Sequence, residues 1–415
     1  MHDRRPAGRG RRSNKPAGRV SVRRAAVRVD RQAADWVRLG HPWVFRAAVR
    51  ADTAPKGLVD VLDPRGDVVG RGYFVRSGPI AVRVLTRDPR IDRPAALARR
   101  VVGRALDLRR DLLAPDLTAY RVIHGDGEGL SGLVVERFGR FAVLQQFCEE
   151  AEFLVEPVCE AVGSALGLSG LYLQERFRPP EPGKPRQAAR LVWGHKADVE
   201  ELVTEGGLRF SVDVRAPQSV GLFLDFRLVR SYLNRIAAGR RVLNCFSHTG
   251  ALSVVAAAAG AAEVVSVDVS SRYQAWAQKN FRLNGLDPAA YQFEAADAIS
   301  ALHRWGKKKG PLFDVVILDP PTFSAGRGKP FSVAKDYPEL VEASVNVLSP
   351  GGYLLAASNT VKMSDVEFWR LLAEGAKRAR RDLVLVHRFS LPPDFPIPPV
   401  FAEGQYHKAV VARVL

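Results

Sequence analysis

The pattern of apolar and polar residues changes character at about residue 209. From about Val22 to Thr86, short apolar runs separated by turn residues predict a compact, mostly β domain. Residues 57–74 contain two such runs on either side of the turn 63–66 (Asp-Pro-Arg-Gly), which indicates a hairpin. From Arg209 onward, strand-length apolar runs alternate with helical patterns, as in a parallel sheet with helices on both faces. The pattern therefore predicts an α/β protein with more than one domain.

The middle of the chain mixes helical and strand patterns and predicts a smaller domain. Residues 93–113 carry apolar positions at helical spacing with arginines on the other face, and residues 153–167 predict a second helix. Residues 130–147 are typical of a strand, a turn and a strand, and the proline-rich stretch 178–187 predicts a loop. We expect four segments: a disordered basic tail (1–20), a β-rich domain (21–90), a small central α+β domain (91–205) and an α/β domain (206–415).

The net charge indicates a polyanionic partner. The 415 residues carry a formal charge of +18 at pH 7, and nucleic acid is the commonest partner of so positive a protein. Residues 1–19 hold seven Lys or Arg and one Asp, a charge of +6, so that +12 remains on the rest of the chain. The folded part is therefore basic too, and not only the tail.

Cysteine usage and the absence of a leader-like segment indicate the cytoplasm. The three cysteines, Cys148, Cys159 and Cys245, have no spacing typical of a metal site, which argues against a disulfide framework and against zinc. The basic N-terminus has no apolar core of the kind that secretory signals carry. Residues 242–262 are uncharged, but their polar first third and alanine-rich remainder favour a buried helix over a membrane span. We expect neither a metal nor a membrane partner.

A turn and a carboxylate at neighbouring strand ends predict a nucleoside site. Residues 243–270 read "LNCFSHTGALSVVAAAAGAAEVVSVDVS": a strand, a turn closed by Gly250, a helix, and a second strand that stops at Asp268. In open α/β sheets, ligands bind outside the carboxyl ends of the strands. Gly250 is expected to let the backbone approach a ligand, and Asp268 to accept hydrogen bonds from two ribose hydroxyls. Because the three-glycine turn of dinucleotide sites is absent, the pattern favours S-adenosylmethionine.

Two later strand ends add groups that suit a planar base. Asp297 ends "EAADA", where its carboxylate would accept a hydrogen bond from the adenine amino group. The apolar strand "FDVVIL" stops at Asp319, and Pro320 and Pro321 then hold the carbonyls in an extended turn. Phe323 offers a flat apolar face beside them. An ordinary proline turn with a core phenylalanine is the structural alternative.

These motifs resemble those of a known family. The C-terminal half resembles class I S-adenosylmethionine-dependent methyltransferases in "NCFSHTG", "SVDVS", "EAADA" and "LDPPTFS", which occur in the expected order. The chain from about Val22 resembles, more narrowly, the large-subunit ribosomal RNA methyltransferases of the RlmI/RlmK type. That closer resemblance rests on "GHPWVF" (40–45), "RVIHGDGEGLSGLVVERFG" (121–139) and "PQSVGLFLDFRLVR" (217–230). It implies an N-terminal PUA domain, a small central α+β domain and a Rossmann-like catalytic domain.

The resemblance also implies which residues surround S-adenosylmethionine. A "GLFLDFR" helix (221–227) and the motif turns would close around the cofactor. The residues expected to line or brace that site are Phe223, Asp225, Arg227, Asn244, Phe246, Thr249, Gly250, Asp268, Asp297 and Asp319. His248 ranks below its neighbours, because it is equally well explained as a turn histidine. Separate structural contacts remain the alternative for Asp225 and Arg227, which do not share a helix face.

The residues after the next strand bear on the target atom. Methylation of cytosine at carbon-5 needs a thiolate that adds to carbon-6, and family members that do this carry a cysteine in a turn that here reads Ser358-Asn359-Thr360. Cys245 follows a different strand. Guanine N7 already has a free lone pair and needs only desolvation and positioning, which can contribute about 7–11 kcal/mol. We expect Asp319 and Asn359 to hold the base edge while Phe323 stacks on the base. An exocyclic amine is the alternative target, because the carbonyl of Pro320 could accept its N–H.

Cations near the proposed base-binding turn predict contacts with RNA phosphates. Arg327, Lys329 and Lys335 follow that turn, and the lysines at 307–309 precede its strand. Solvated surface charge is the alternative for each one alone. A target base in a duplex must be flipped out, which favours naked or partly assembled large-subunit RNA. The alternatives are a 5-methylcytosine enzyme and a non-catalytic RNA-binding assembly factor. A homodimer is left open by the sequence.

Overall fold

The computed structural model describes residues 25–50, 56–178, 186–308, 312–321, 323–324, 331–361 and 363–415. They form an N-terminal β-rich domain, a central α+β domain and a C-terminal α/β domain, as predicted. The basic tail at 1–20 lies outside the described residues. No helix in the described part is long and apolar enough to cross a membrane.

The N-terminal domain is a five-stranded sheet with one flanking helix. Its elements are β1 (Ala26–Arg28), α1 (Arg31–Leu39), β2 (Trp43–Phe45), β3 (Val59–Leu62), β4 (Val68–Phe74) and β5 (Ile80–Thr86), with strand order β1-β3-β4-β5-β2. The predicted hairpin is β3–β4, and Asp63 Oδ1 accepts the backbone N–H groups of Arg65, Gly66 and Asp67 in its turn. The β pattern did not predict α1, although Asp30 caps its start and Gly40 ends it at φ 112°.

The central domain packs two helices on a mixed sheet. Its elements are α2 (Pro94–Leu112), β6 (Ala119–Ile123), β7 (Leu133–Phe138), β8 (Phe141–Gln146), α3 (Glu152–Leu166), β9 (Gly170–Glu175) and β10 (Arg190–Gly194), with strand order β10-β9-β8-β7-β6. A separate hairpin follows, β11 (Glu201–Glu205) and β12 (Leu208–Val212). The expected boundary between residues 205 and 206 falls inside the turn of this hairpin, whose two strands form one unit.

The C-terminal domain is a seven-stranded sheet flanked by helices. Its strands are β13 (Arg241–Cys245), β14 (Glu263–Asp268), β15 (Gln292–Ala295), β16 (Phe313–Leu318), β19 (Leu348–Ser358), β20 (Leu383–Phe389) and β21 (Lys408–Val414). Its helices are α4 (Arg227–Ile236), α5 (Ala251–Ala258), α6 (Ser271–Leu283), α7 (Ala298–Gly306), α8 (Val333–Val347) and α9 (Asp365–Arg378). The two-residue strands β17 (Phe323–Ser324) and β18 (Phe331–Ser332) pair beside the sheet.

The order of this sheet is β15-β14-β13-β16-β19-β21-β20, and β21 is antiparallel to both of its neighbours. Alternate residues of the central strands serve two cores. Val242 and Val315 belong to the core on one face, whereas Leu243 and Val316 belong to the core on the other. Helices on both faces, and the antiparallel last strand, were expected from the sequence. The parallel strands β13 to β16 therefore present their carboxyl ends at one edge.

The connection between β20 and β21 joins the three domains. Asp394 is fully buried there, and its carboxylate accepts hydrogen bonds from Arg227 Nη1 at 2.7 Å and from the Arg121 backbone N–H at 2.8 Å. Further along, the ring of Phe401 lies 4.7 Å from that of Trp43 in the N-terminal domain. This segment, residues 390–407, holds the domains against one another around the site described next.

Candidate active site

The turn between β13 and α5 has an unusual backbone. Phe246 has φ 60°, His248 φ 49° and Gly250 φ 75°, so three left-handed residues occur within five positions. Such conformations are costly for residues with a side chain and persist where the surroundings impose them. Here the next strand imposes them, since Val267 O accepts the Ser247 N–H and Asp268 Oδ2 accepts the His248 N–H, each at 2.9 Å.

The structure explains the glycine at position 250 by packing against α6, whereas the sequence suggested close approach of the backbone to a ligand. A Cβ at this position would lie 2.7 Å from Ala277 Cβ on α6, and the residue is buried against that helix. Gly250 therefore permits close packing of the turn on α6 and its positive φ. It does not line the cavity beside the turn.

A cavity of about 460 Å³ lies at the carboxyl ends of β13, β14, β16 and β19. It brings together eight residues predicted from the sequence: Phe223, Asn244, Phe246, Thr249, Asp268, Asp319, Pro320 and Asn359. The backbone of Phe223 is fixed by Arg230, whose Nη1 donates to its carbonyl at 2.8 Å. "GLFLDFR" is not a helix: residues 224–226 form a single 3-10 turn, and α4 begins at Arg227. Phe223 is thereby left on extended backbone at the cavity wall.

Asp268 retains acceptor capacity toward the cavity. Its Oδ1 accepts the Ser270 N–H and its Oδ2 the His248 N–H, both at 2.9 Å. Each carboxylate oxygen can accept a second hydrogen bond. The strand end thus has acceptor capacity left for a ligand hydroxyl.

His248 lines the first cavity between two aromatic rings, although the sequence ranked it below its neighbours as a site residue. Its ring centroid lies 4.2 Å from that of Tyr273 and 5.1 Å from that of Phe223. Burial lowers the pKa of His248 to about 4, so the imidazole is neutral. Its Nε2 is buried and has no hydrogen-bond partner among the described residues. An orphaned buried nitrogen in a cavity wall indicates that a ligand completes its hydrogen bonding. Tyr273, on α6, carried no motif that could have marked it.

Asp319 is a half-buried carboxyl group that favours its neutral form. Burial raises its pKa to about 8, and the negative charge of Asp225 adds to the effect. No residue that the structure describes donates a hydrogen bond to it. Pro320 beside it is buried. At neutral pH the group can therefore both donate and accept toward a ligand.

A second cavity of about 480 Å³ lies where the three domains meet. It shares Gln218, Ser219, Phe223 and Asn359 with the first, so the two meet at these residues. Asp225 lines the second cavity, where its Oδ2 accepts the Tyr406 hydroxyl at 3.0 Å. Asn359 Oδ1 lies 3.2 Å from Nδ1 of His407, whose pKa is lowered by burial.

Several predicted residues are not brought into either cavity. Arg227 forms ion pairs with Glu205 at 3.3 Å and Asp394 at 2.7 Å, and so braces the domains. Asp297 is exposed, and its carboxylate caps α7 by accepting the Ser300 N–H at 2.8 Å. Lys335 is exposed on α8. Arg327, Lys329 and the side chain of Phe323 lie outside the described residues.

Comparison with known proteins identifies the family. A family model for S-adenosylmethionine-dependent methyltransferases matches residues 149–407, which is more than half of the chain. The chain belongs to this family. A model for PUA-like domains matches residues 27–87, the N-terminal sheet with α1. S-adenosylmethionine is therefore the cofactor, and the class I fold expected from the motifs is confirmed.

Proteins named ribosomal RNA large subunit methyltransferase I are similar over nearly the whole chain. The protein of Erwinia tasmaniensis is 31% identical over 382 residues, 90% of this chain and 96% of its own. That of Shewanella denitrificans is 33% identical over 383 residues, 90% and 95% of the two chains. These relatives confirm the resemblance to the RlmI/RlmK type.

Solved structures share the fold. The crystal structure of SMU.776, described as a methyltransferase complexed with SAH, superposes with a TM-score of 0.84 at 23% identity and covers 94% of this chain and 100% of its own. A structure from Streptococcus mutans described as a SAM-dependent methyltransferase gives a TM-score of 0.82 with the same coverage. The overall fold of this chain is therefore shared with these two structures.

Proposed function

We propose that this methyltransferase modifies a base of large-subunit ribosomal RNA, and that the target atom is guanine N7. The names of the relatives, the PUA-like domain and the charge of +18 support an RNA substrate. The names of the relatives support a reaction in the cytoplasm. The need to flip a paired target base out of its duplex supports naked or partly assembled RNA as the substrate.

The first cavity fits the cofactor. The free acceptor capacity of Asp268 suits the ribose hydroxyls, and Nε2 of His248 suits a donor on the ligand. Phe223, Phe246 and Thr249 would form the wall around the remainder, with Asn244 beneath it. When bound, S-adenosylmethionine supplies an electrophilic methyl group on a positively charged sulfur. The protein's own task is to bring the target atom to that methyl group and to exclude water.

The observation that carries the choice of target atom is the position of the thiols. All three cysteines of the chain are described, and all three are buried. Cys245 lies in the core with Leu243 and Val267, and burial raises its pKa far above the usual range. No cysteine lines either cavity. A cytosine mechanism, which needs a thiolate at carbon-6, lacks its nucleophile here.

The amide of Asn359 supports guanine. Because Oδ1 of Asn359 can only accept, Nδ1 of His407 carries the proton of their hydrogen bond. Asn359 lines both cavities, so its Nδ2 donors would be available to a ligand at their junction. The edge of guanine that carries N7 presents only acceptors, N7 and O6, whereas cytosine and adenine present amino groups there. A fixed amide donor is therefore complementary to O6 when N7 is presented for methylation.

Asp319, Pro320 and Asp225 supply the remaining polar groups at this place. The neutral carboxyl of Asp319 would donate or accept a hydrogen bond at the base edge without an ionised charge. The carbonyl of Pro320 would accept one there. Guanine N7 has no proton to lose, so this arrangement needs no general base. Orientation of the base and removal of its water are then the main contributions of the protein to the rate.

The proposal is tested by mass spectrometry of nucleosides from large-subunit ribosomal RNA of cells with and without the gene. We expect one 7-methylguanine to be absent without the gene and to return with the wild-type gene, but not with Asn359→Ala. Loss of 5-methylcytosine would contradict the target atom, and complementation with Cys245→Ala would then show whether that thiol is the nucleophile. If no nucleoside changes, a non-catalytic role in ribosome assembly is supported.

A further inference from the structure

One arginine in the wall of the second cavity has no ion-pair partner among the described residues. Arg176 follows β9, is half-buried, and donates from Nη2 to the Gln218 carbonyl at 2.6 Å. Its Nε is buried without a hydrogen-bond partner, and within the described part of the chain no carboxylate lies at ion-pair distance. Burying a cation is costly unless an anion compensates it. This environment, which lowers the pKa of Arg176, is that of a site completed by a bound anion.

The other arginines of the same cavity are already neutralised. Arg83 Nη1 contacts Asp126 at 2.9 Å, and Arg121 contacts Glu136 at 2.9 Å. These two ion pairs hold the cavity wall, and Glu136, which also attracts Arg176, lies beyond ion-pair distance from it. The second cavity therefore has one cation available to a ligand among the arginines described there.

The position of Arg176 decides which anion fits. Gln218, to which it is bonded, lines both cavities, but Arg176 itself lines only the second. With the cofactor in the first cavity, as proposed above, its carboxylate would lie there, so the anion of Arg176 would come from the substrate. Phe147 lines the same cavity with 49% of its surface exposed and offers a face on which a base can stack.

We propose that Arg176 binds a phosphodiester group of the RNA strand beside the target nucleotide, and so holds the strand while the target base enters the junction next to Asn359. This inference rests on the proposed function. A guanidinium matches phosphate oxygens with two parallel N–H groups, and its orphaned Nε is one of them. Tethering of Nη2 to Gln218 fixes the direction of the group before RNA arrives.

The assignment of Arg176 is tested by measuring RNA binding apart from methyl transfer. The protein is saturated with S-adenosylhomocysteine, and its affinity for naked large-subunit ribosomal RNA is measured by filter binding over a series of KCl concentrations. The variants are Arg176→Ala, Arg176→Lys and the matched control Arg178→Ala. Arg178 lies two residues away, is exposed and pairs with Glu175 at 3.1 Å. Calorimetric binding of S-adenosylhomocysteine reports on the fold and on the first cavity.

We expect Arg176→Ala to weaken RNA binding about tenfold, the effect of losing a charged hydrogen bond, and to lower the salt slope by about one. Arg176→Lys retains the charge and should keep the wild-type slope with part of the affinity. Arg178→Ala and all affinities for S-adenosylhomocysteine should match the wild type. If Arg176→Ala binds RNA as Arg178→Ala does, or loses S-adenosylhomocysteine affinity instead, the assignment is wrong. A wild type that binds RNA through Arg176 but transfers no methyl group would contradict the proposed function alone.

Discussion

At the scale of single residues, the burial of Asp319 works against the stability of the fold. Its pKa of about 8 in the folded protein stands against 3.8 for an ordinary carboxyl group. Between these values the folded state binds more protons than the unfolded state, so the free energy of unfolding falls as the pH rises from about 4 to about 8. A group of this kind costs stability at working pH and is retained for its position.

Asp319→Asn should therefore stabilise the protein without cofactor and impair its reaction. At pH 8.5 we expect the free energy of unfolding to rise by about 1–3 kcal/mol, a value reduced from the full pKa shift because water reaches the half-buried group. The gain should shrink as the pH falls toward 4 and vanish below the unfolded pKa of 3.8, where the wild-type carboxyl is protonated in both states. Urea denaturation at pH 4.5, 6.5 and 8.5 measures this, and methyl transfer should fall about tenfold or more.

Asp297→Asn is the matched control for this measurement. Its side chain is exposed and caps α7, a role that asparagine fills equally well. We expect no pH-dependent gain from it. If Asp319→Asn gave the same pH profile as the wild type, the carboxylate would already be ionised in the folded protein, and the neutral-donor role at the base edge would be wrong.

At the scale of elements, the turn from β13 to α5 depends on packing against α6. Gly250→Ala would combine a positive φ with a Cβ placed 2.7 Å from Ala277. We expect it to lower the free energy of unfolding by about 2–4 kcal/mol, the sum of the conformational cost and overpacking. Because Thr249 moves with the turn, calorimetry should also show weaker binding of S-adenosylmethionine.

Gly260→Ala separates these two effects. Gly260 has φ 82° just after α5, but a Cβ there meets nothing within 4 Å. It should cost only the conformational part, about 1 kcal/mol, and leave cofactor affinity unchanged. Equal losses from the two substitutions would mean that contact with α6 contributes nothing to the turn.

The elements also show what could be predicted from sequence. Strand-end residues such as Asp268, Asp319 and Asn359 were found because parallel strands end at one edge of a sheet. Asp297 ends its strand in the same way, yet the start of α7 lies closer and captures its carboxylate. Sequence position fixes which end of the sheet a residue reaches, but local hydrogen bonds decide where its side chain points.

The roles of residues whose partners are distant in sequence could not be predicted from local patterns. Arg227 is held by Asp394, which lies 167 positions away, and Arg176 is defined by the lack of such a partner. His248 resembled an ordinary turn residue until the rings of Phe223 and Tyr273 were placed on either side of it. These contacts arise from domain packing, on which the local pattern of residues carries no information.

At the scale of the whole molecule, the second cavity exists only while the three domains stay together. The segment 390–407 crosses all three, and Asp394 is its buried anchor. Its carboxylate accepts Arg227 Nη1 and the Arg121 N–H, and its carbonyl accepts Arg109 Nη2 at 2.7 Å. One side chain thus ties α4 to the central domain, and the second cavity depends on that connection.

In Asp394→Asn, we expect the domains to separate on heating before they unfold. Removing the charge leaves Arg227 with Glu205 alone, and breaking a buried ion pair typically costs about 3–5 kcal/mol. We expect calorimetry to show two unfolding transitions where the wild type shows one, because the central and catalytic domains lose their coupling. RNA affinity should fall while S-adenosylhomocysteine affinity, set within the catalytic domain, changes little.

The control is Asp107→Asn, which removes an exposed ion pair with Arg110 worth at most about 1 kcal/mol. A single transition in Asp394→Asn, shifted no further than in this control, would mean that other contacts along the segment hold the domains together.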